Sequence, residues 1–312
     1  MREAITKLLL FLTPFILVAF FIFLVDPYNL FNISHLFTDD VKIKCLNRTD
    51  ETTTRGNLLW KTIEFERNPV PNILIGNSRT ALATDSCLET KFGGETTNLA
   101  FPGANLRTII DMFWMAANST ELENVILQVD FNIYNALRNP DLYESTRQII
   151  TKRFQYFFDW NILKDALSVC YYSFSKNEGH ILRSYKDRTD NWALTTAFLK
   201  NKFSLYTYPE ELHKKLFEIS EYCKSENINL IFLIAPNYQE VFTYVISSNL
   251  EDENNRFKDD LTKLGTTIDL DNEQPISFKR DNYFDHFHLK SQLVDSVISM
   301  AINTYLIEKS VR

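Results

Sequence analysis

Residues 72–80 read Asn72-Ile73-Leu74-Ile75-Gly76-Asn77-Ser78-Arg79-Thr80, and the change of character inside this stretch points to the fold class. A short apolar run ends at a glycine, and polar residues take over at once. Such a run, bounded by turn residues, is the pattern of a β-strand covered on both faces. Glycine and asparagine at its end suit a tight turn. Similar runs recur downstream: Thr96 to Phe101, Asn124 to Phe131, Ile228 to Ala235 and, more weakly, Thr266 to Leu270. Between them lie helical patterns over Leu106–Ala117, Glu210–Glu226, Leu250–Leu264 and Ser291–Glu308. In the last, Leu293, Val294, Val297, Ile298, Ala301, Ile302, Tyr305 and Leu306 keep one apolar stripe. Strand–helix alternation predicts an α/β fold, a doubly wound and mostly parallel five-stranded sheet.

Working outward, the alternation is interrupted once. Between about Arg138 and Tyr208 no strand pattern appears. Aromatic-rich, helix-compatible pieces such as Phe154-Gln155-Tyr156-Phe157-Phe158-Asp159-Trp160 take its place. We expect a helical insert over about 138–208, packed on the main domain, forming a lid or groove, or resting on a membrane surface. Upstream, residues 27–68 are polar and read as an irregular membrane-proximal stalk or cap. The main domain is expected over 69–312.

The N-terminus carries a different signal. Arg2 and Lys7 precede an uncharged run from Leu8 to Val25, broken only by Thr13 and Pro14. As a helix it would span roughly 27 Å at about 1.5 Å per residue, near the ~30 Å hydrocarbon core. The run passes straight into Asp26-Pro27-Tyr28 without a small-residue cleavage site, so we expect residues 1–26 to be an uncleaved signal anchor. Basic residues before the span predict a cytoplasmic N-terminus and an extracytoplasmic remainder, periplasmic or at the cell surface.

Composition narrows the partners. The chain of 312 residues has a net charge of −7 and no dense basic stripe, which argues against nucleic acid. The four cysteines, Cys45, Cys87, Cys170 and Cys223, form no C-x-x-C pair, so zinc is not expected. In an exported domain they could pair in three ways, and the spacing does not choose. Asp269-Leu270-Asp271 could imitate a metal site, but paired acids at a strand end are usually solvated. No cofactor is implied.

Chemistry is concentrated in two places. Ser78 directly follows its strand, where active sites of open α/β sheets lie. Near the other end, Tyr283-Phe284-Asp285-His286-Phe287-His288-Leu289 offers an acid and an imidazole three residues apart, which one helical turn would place on one face. A serine hydroxyl needs an oriented base to become a nucleophile, and His288 or its rival His286 could supply one. The bland alternative is that Ser78 or Thr80 caps a following helix. His35, His180 and His213 have no partnering motif and read as structural or surface residues.

Together these blocks resemble the SGNH, or GDSL-like, hydrolase superfamily. Gly76-Asn77-Ser78-Arg79-Thr80 is similar to its first block, and Asp285-His286-Phe287-His288 to its final Asp-x-x-His before the last helix. Asn98-Leu99-Ala100-Phe101-Pro102-Gly103-Ala104-Asn105 places a glycine where the second block has one. The resemblance covers about residues 70–308 without the insert. It implies a three-layer α/β/α sandwich of flavodoxin-like type and a triad of Ser78, His288 and Asp285. The implied oxyanion donors are the N–H groups of Ser78 and Gly103, aided by a helix beginning near Arg79. The third block departs: Gln128-Val129-Asp130-Phe131-Asn132 lacks its glycine, and Asn132 is the candidate for the missing donor. Arg79 is expected to pair with a carboxylate or to bind an anionic group. Asp130 is expected to hold a loop or a substrate hydroxyl, and Asn105 is a further candidate substrate contact.

With the anchor, the chain looks like membrane-bound envelope proteins of this superfamily, such as those of alginate O-acetylation and D-alanyl transfer to teichoic acid. The resemblance implies a serine acyltransferase acting on ester-linked acyl groups of a cell-envelope polysaccharide or other glycan, beside the membrane and a multi-spanning acyltransferase. A carbohydrate esterase, or a non-catalytic scaffold subunit, remains open on sequence.

Overall fold

A computed structural model of the protein describes residues 2–46, 52–176, 192–271 and 275–311. In chain order, α1 (Arg2–Val25), α2 (Asp39–Leu46) and α3 (Thr52–Arg67) precede β1 (Asn72–Ile75), α4 (Asp85–Phe92), β2 (Thr96–Asn98), α5 (Leu106–Ser119) and β3 (Asn124–Gln128). Next come α6 (Tyr143–Thr151), α7 (Trp160–Ser175) and α8 (Trp192–Ser204). The chain finishes with α9 (Glu210–Ser225), β4 (Asn229–Ile234), α10 (Glu240–Ser247), α11 (Glu251–Leu264), β5 (Thr266–Asp269) and α12 (Ser291–Val311). Two compact units result, Met1–Arg67 with Leu142–Asp187, and Asn68–Asp141 with Arg188–Arg312.

The second unit is the expected α/β sandwich. Its five strands are all parallel, in the order β2-β1-β3-β4-β5. Side chains alternate faces along each strand, so in-register residues share a side. Leu74, Ile126, Ile231, Leu233 and Ile268 pack with Leu88 of α4 and with Val294, Val297, Ile298 and Ile302 of α12. Ile75, Leu127 and Phe232 stand in register on the opposite side, the side of α5, α9 and α11. The reversal of strand order between β1 and β3 is a topological switch point, where ligands of such sheets bind.

Two strands stop short of the expected ends for a common reason: polar side chains leave the ladder to build loops. Asn98 closes β2 by donating to the carbonyls of Thr80 and Ala83 and accepting from the Ala100 N–H. β3 ends at Gln128, whose side chain accepts from the Asn77 N–H and donates to the Asp130 carboxylate.

In the first unit, residues 27–68, expected to be an irregular membrane-proximal stalk or cap, are in part helical. They contain α2 and α3, although residues 47–51 lie outside the described ones. Ile22 of α1 packs with Leu59 and Ile63 of α3, Ile149 of α6 and Ile162 of α7, while Val25 packs with Ala166, Val169 and Tyr172. The polar exit from α1 is a buried network. Asp26 accepts from the N–H groups of Leu30, Phe31 and Asn32 and from the Tyr156 hydroxyl, and Tyr28 donates to Asp165. Burial lowers the Lys42 ammonium there, against the attraction of Asp26 and Asp39. Polar composition suggested a loop because these groups satisfy one another rather than water.

The insert also differs from its expected bounds. Leu142–Asp187 clusters with the N-terminal segment, whereas α8 belongs to the sheet unit. Residues 177–191 of the insert lie outside the described residues. The Thr6–Val25 part of α1, with mean hydropathy 3.0, is long and apolar enough to cross a membrane. None of Cys45, Cys87, Cys170 and Cys223 is disulfide-bonded.

Candidate active site

The loop after β1 is held by side chains from β3. Gln128 is wholly buried at the end of its strand, and its Oε1 accepts from the Asn77 N–H at 2.8 Å. Its Nε2 donates to Asp130 Oδ2 at 2.5 Å, and Asn77 Nδ2 donates to the same oxygen at 3.1 Å. Gly76 is needed for this approach rather than for a left-handed turn, since its φ is not positive. A Cβ there would lie 2.7 Å from Gln128 Oε1 and 2.9 Å from Gln128 Cβ.

This scaffold presents Ser78. Asn77 Oδ1 accepts from the Arg79 N–H, and the Asn77 carbonyl accepts from the N–H groups of Thr80 and Ala81, so the serine stands on a tight turn. The helix expected near Arg79 is not there: a turn leads instead to α4, which begins at Asp85 and is capped by Thr84. A helix dipole at Ser78 is therefore absent, and hydrogen bonds within the turn take over its ordering role.

Asp285 and His288 meet Ser78 from the other end of the chain. They lie in a bent loop rather than on the expected helical turn, closed by an antiparallel bridge between Tyr283 and Leu289. Asp285 Oδ1 accepts from the N–H groups of Phe287 and His288, which tightens the loop. Both carboxylate oxygens lie 2.8 Å from His288 Nδ1, and His288 Nε2 lies 2.7 Å from Ser78 Oγ. Burial alone would raise the Asp285 carboxyl. Its hydrogen bond and attraction to His288, with the two N–H donors, outweigh that and hold it below the usual carboxylate value. The Asp285 side chain is buried and that of His288 is 18% exposed, so the imidazole faces outward with its inner nitrogen fixed.

His286 is otherwise engaged. Its Nδ1 is 2.7 Å from Thr195 Oγ1 and its Nε2 is 3.2 Å from Glu240 Oε2, with Trp192 packed edge-on against the ring. Burial lowers its pKa, opposed by Glu240. It pins the loop between α8 and α10. His213 is likewise structural, bonded to the Tyr134 hydroxyl.

The remaining candidates divide. Beyond β2 the chain stays bonded to the first loop, Leu99 N–H to the Leu74 carbonyl and Phe101 N–H to the Gly76 carbonyl. Gly103 follows at φ +84°, in a left-handed turn that favours glycine, at the same sheet end as Ser78. The N–H groups of Ser78 and Gly103 have no acceptor among the described residues. Asn105 is not a free substrate contact: it caps α5 by accepting from the Thr108 N–H, and it donates to the Pro140 carbonyl. Asp130 holds the loop, and Arg79 Nη1 donates to its Oδ1 at 2.6 Å, both side chains being buried. Arg79 Nε and Nη2 and Asn132 Oδ1 are buried without a partner among the described residues.

Arg79, Asp130 and Asn132 line a cavity of 420 Å³, together with Phe287, the neighbour of His288. Sequence reading missed Gln128, Asn237 and Lys258 in this region. A glutamine ending an otherwise apolar buried strand was the one signal available. Among the described residues no group of His, Cys, Asp and Glu is arranged to hold a metal ion.

No known family matches the chain, and no curated protein does. A solved structure described as "The structure of a putative platelet activating factor from Streptococcus pneumonia" is similar over 81% of this chain and 92% of that one, at 12% identity and a TM-score of 0.44. A likeness of that size carries no argument about the site.

Proposed function

We propose that the protein is a membrane-anchored, extracytoplasmic serine acyltransferase acting on ester-linked acyl groups of a cell-envelope glycan, and related to the SGNH hydrolases. The observation that carries this reading is the chain of contacts from Ser78 Oγ through His288 to Asp285, at 2.7 and 2.8 Å. That order of nucleophile, base and orienting acid is what acyl transfer requires.

In this reading Ser78 Oγ attacks the ester carbonyl while His288 Nε2 takes its proton. Asp285 fixes the Nδ1–H tautomer and stabilises the imidazolium. The tetrahedral oxyanion is received by the free N–H groups of Ser78 and Gly103. Collapse expels the alcohol, which receives the proton from His288, and leaves an acyl-Ser78 ester. An acceptor hydroxyl then gives its proton to His288 and attacks that ester, and Ser78 Oγ leaves with the proton from His288 as the new ester forms. Water in the acceptor's place would make the same site an esterase.

Retention of α1 as an anchor is supported by Ile22 and Val25, which are core residues of the first unit. Cleavage after the span would strip that core of two buried side chains.

The test is a fluorophosphonate probe on the full chain in detergent. Labelling of the wild type and not of Ser78→Ala is expected, and absence of labelling in folded protein would overturn the reading. Given labelling, p-nitrophenyl acetate should release its acyl group faster when a glycan acceptor is added, with the acetyl group recovered on the glycan. Release solely to water would make the protein an esterase.

A further inference from the structure

The cavity beside the reacting pair holds polar groups that the fold leaves without partners. Arg79 spends Nη1 on Asp130, and its Nε and Nη2 have no acceptor; Asn132 Oδ1 and Asn237 Oδ1 have no donor. Buried polar groups are ordinarily hydrogen-bonded, so several around one cavity point to a ligand. An acyl chain would leave all of them unmet. A carboxylate or phosphate would serve Arg79, yet give nothing to the two amide oxygens and face Asp130 and Asp271.

The walls carry two cations, Arg79 and Lys258, and two acids, Asp130 and Asp271, so their formal charges cancel. Arg79 faces Asp130, and Lys258 faces Asp269 at 2.7 Å. What remains is a need for groups that both donate and accept, which hydroxyls do. Phe131, Phe242, Phe278 and Phe287 add apolar walls suited to the C–H face of a ring. The volume lies in the range of small-molecule sites, roughly 300–1,000 Å³.

We propose that this cavity seats a neutral, hydroxyl-rich sugar unit of the acyl acceptor, oriented by the free guanidinium edge of Arg79 and the amides of Asn132 and Asn237. The assignment rests on the acyl-transfer reading for its role, but its test does not use Ser78. Binding of cellotriose, N-acetylchitotriose and trigalacturonate is measured by saturation-transfer NMR and calorimetry on full-length Ser78→Ala protein in detergent. At least one neutral trisaccharide should bind, and trigalacturonate more weakly. Asn237→Leu should weaken the neutral ligand about tenfold, ~1.4 kcal/mol. Phe242→Ala, at a 55% exposed position, should also weaken it without risk to the core. No neutral binding, preference for trigalacturonate, or affinity unchanged in both variants would overturn the proposal. Fluorophosphonate labelling without glycan binding removes the subsite alone; glycan binding without labelling removes the acyl chemistry alone.

An independent observation lies on α7. Trp160, Leu167, Tyr171 and Phe174, on one helical stripe, are 64%, 51%, 44% and 85% exposed. The opposite face buries Ile162, Ala166, Val169 and Tyr172, and the last three pack with Val25, the final residue of α1. The helix is thus apolar on both faces and lies level with the end of a membrane-length segment. We infer that the outer face of α7 beds in the headgroup layer of the bilayer that α1 enters, as Trp and Tyr do at membrane interfaces.

Full-length protein in phosphatidylcholine nanodiscs would be compared with and without brominated lipid. Bromine should quench emission that disappears in Trp160→Phe. The pair Leu167→Glu and Phe174→Glu should reduce that quenching. Equal quenching of wild type and Trp160→Phe would overturn the inference and leave the stripe to a protein partner.

Discussion

Asp285 serves the fold and, in the proposed mechanism, the chemistry. It closes its own loop through two N–H groups and orients His288 through both oxygens. Asp285→Asn would keep the size but offer a donor where an acceptor is needed, favouring the wrong imidazole tautomer. Turnover of p-nitrophenyl acetate should fall by roughly 10⁴-fold, with folding judged by circular dichroism. Gly76 is the structural counterpart. Gly76→Ala would push a methyl into Gln128, the residue that holds the Ser78 loop, and overpacking of this kind costs about 1–3 kcal/mol. Urea unfolding should register that loss.

At the scale of elements, the loop carrying Asp285 and His288 is fastened by His286 between α8 and α10. Burial lowers the pKa of this imidazole in the fold below the value of about 6.5 that it has in the unfolded chain. A depressed histidine resists a proton that the unfolded state accepts, so its contribution is complete above about pH 7 and declines as pH falls below about 6.5. His286→Gln should therefore flatten the fall in melting temperature between about pH 7.5 and pH 5.5. An unchanged slope would show that the buried ring is not its source. Likewise, Ile22→Ala in α1 removes a fully buried side chain between α3, α6 and α7 and should cost about 2–5 kcal/mol. A surface position on a free membrane helix would cost almost nothing.

At the scale of the whole molecule, α1 belongs to a folded unit as well as to any membrane it enters. Protein extracted from membranes should keep its N-terminal residues by intact mass. A chain beginning after Val25 should melt lower or aggregate, because it exposes the faces of α3 and α7 that Ile22 and Val25 cover. Recovery of a stable mature form lacking α1 would rule out the anchor.

Sequence by itself determined what local pattern can carry. Apolar runs ending in turn residues marked β1, β3 and β4, weaker patterns marked β2 and β5, the stripe of Val294 to Tyr305 marked the last helix, and Ser78, Asp285 and His288 stood out by residue type and spacing. Tertiary structure alone decided the rest, because those properties depend on partners far away in the chain. Gln128 and Asp130, fifty residues on from Ser78, shape its turn without a helix. Asn105 caps α5, and His286 fastens the loop of Asp285 to α8 and α10. The polar stretch after Val25 became a folded unit only because Tyr156 and Asp165, more than a hundred residues later, close its hydrogen bonds. Burial and pairing are set by neighbours in space, and only the folded chain brings those neighbours together.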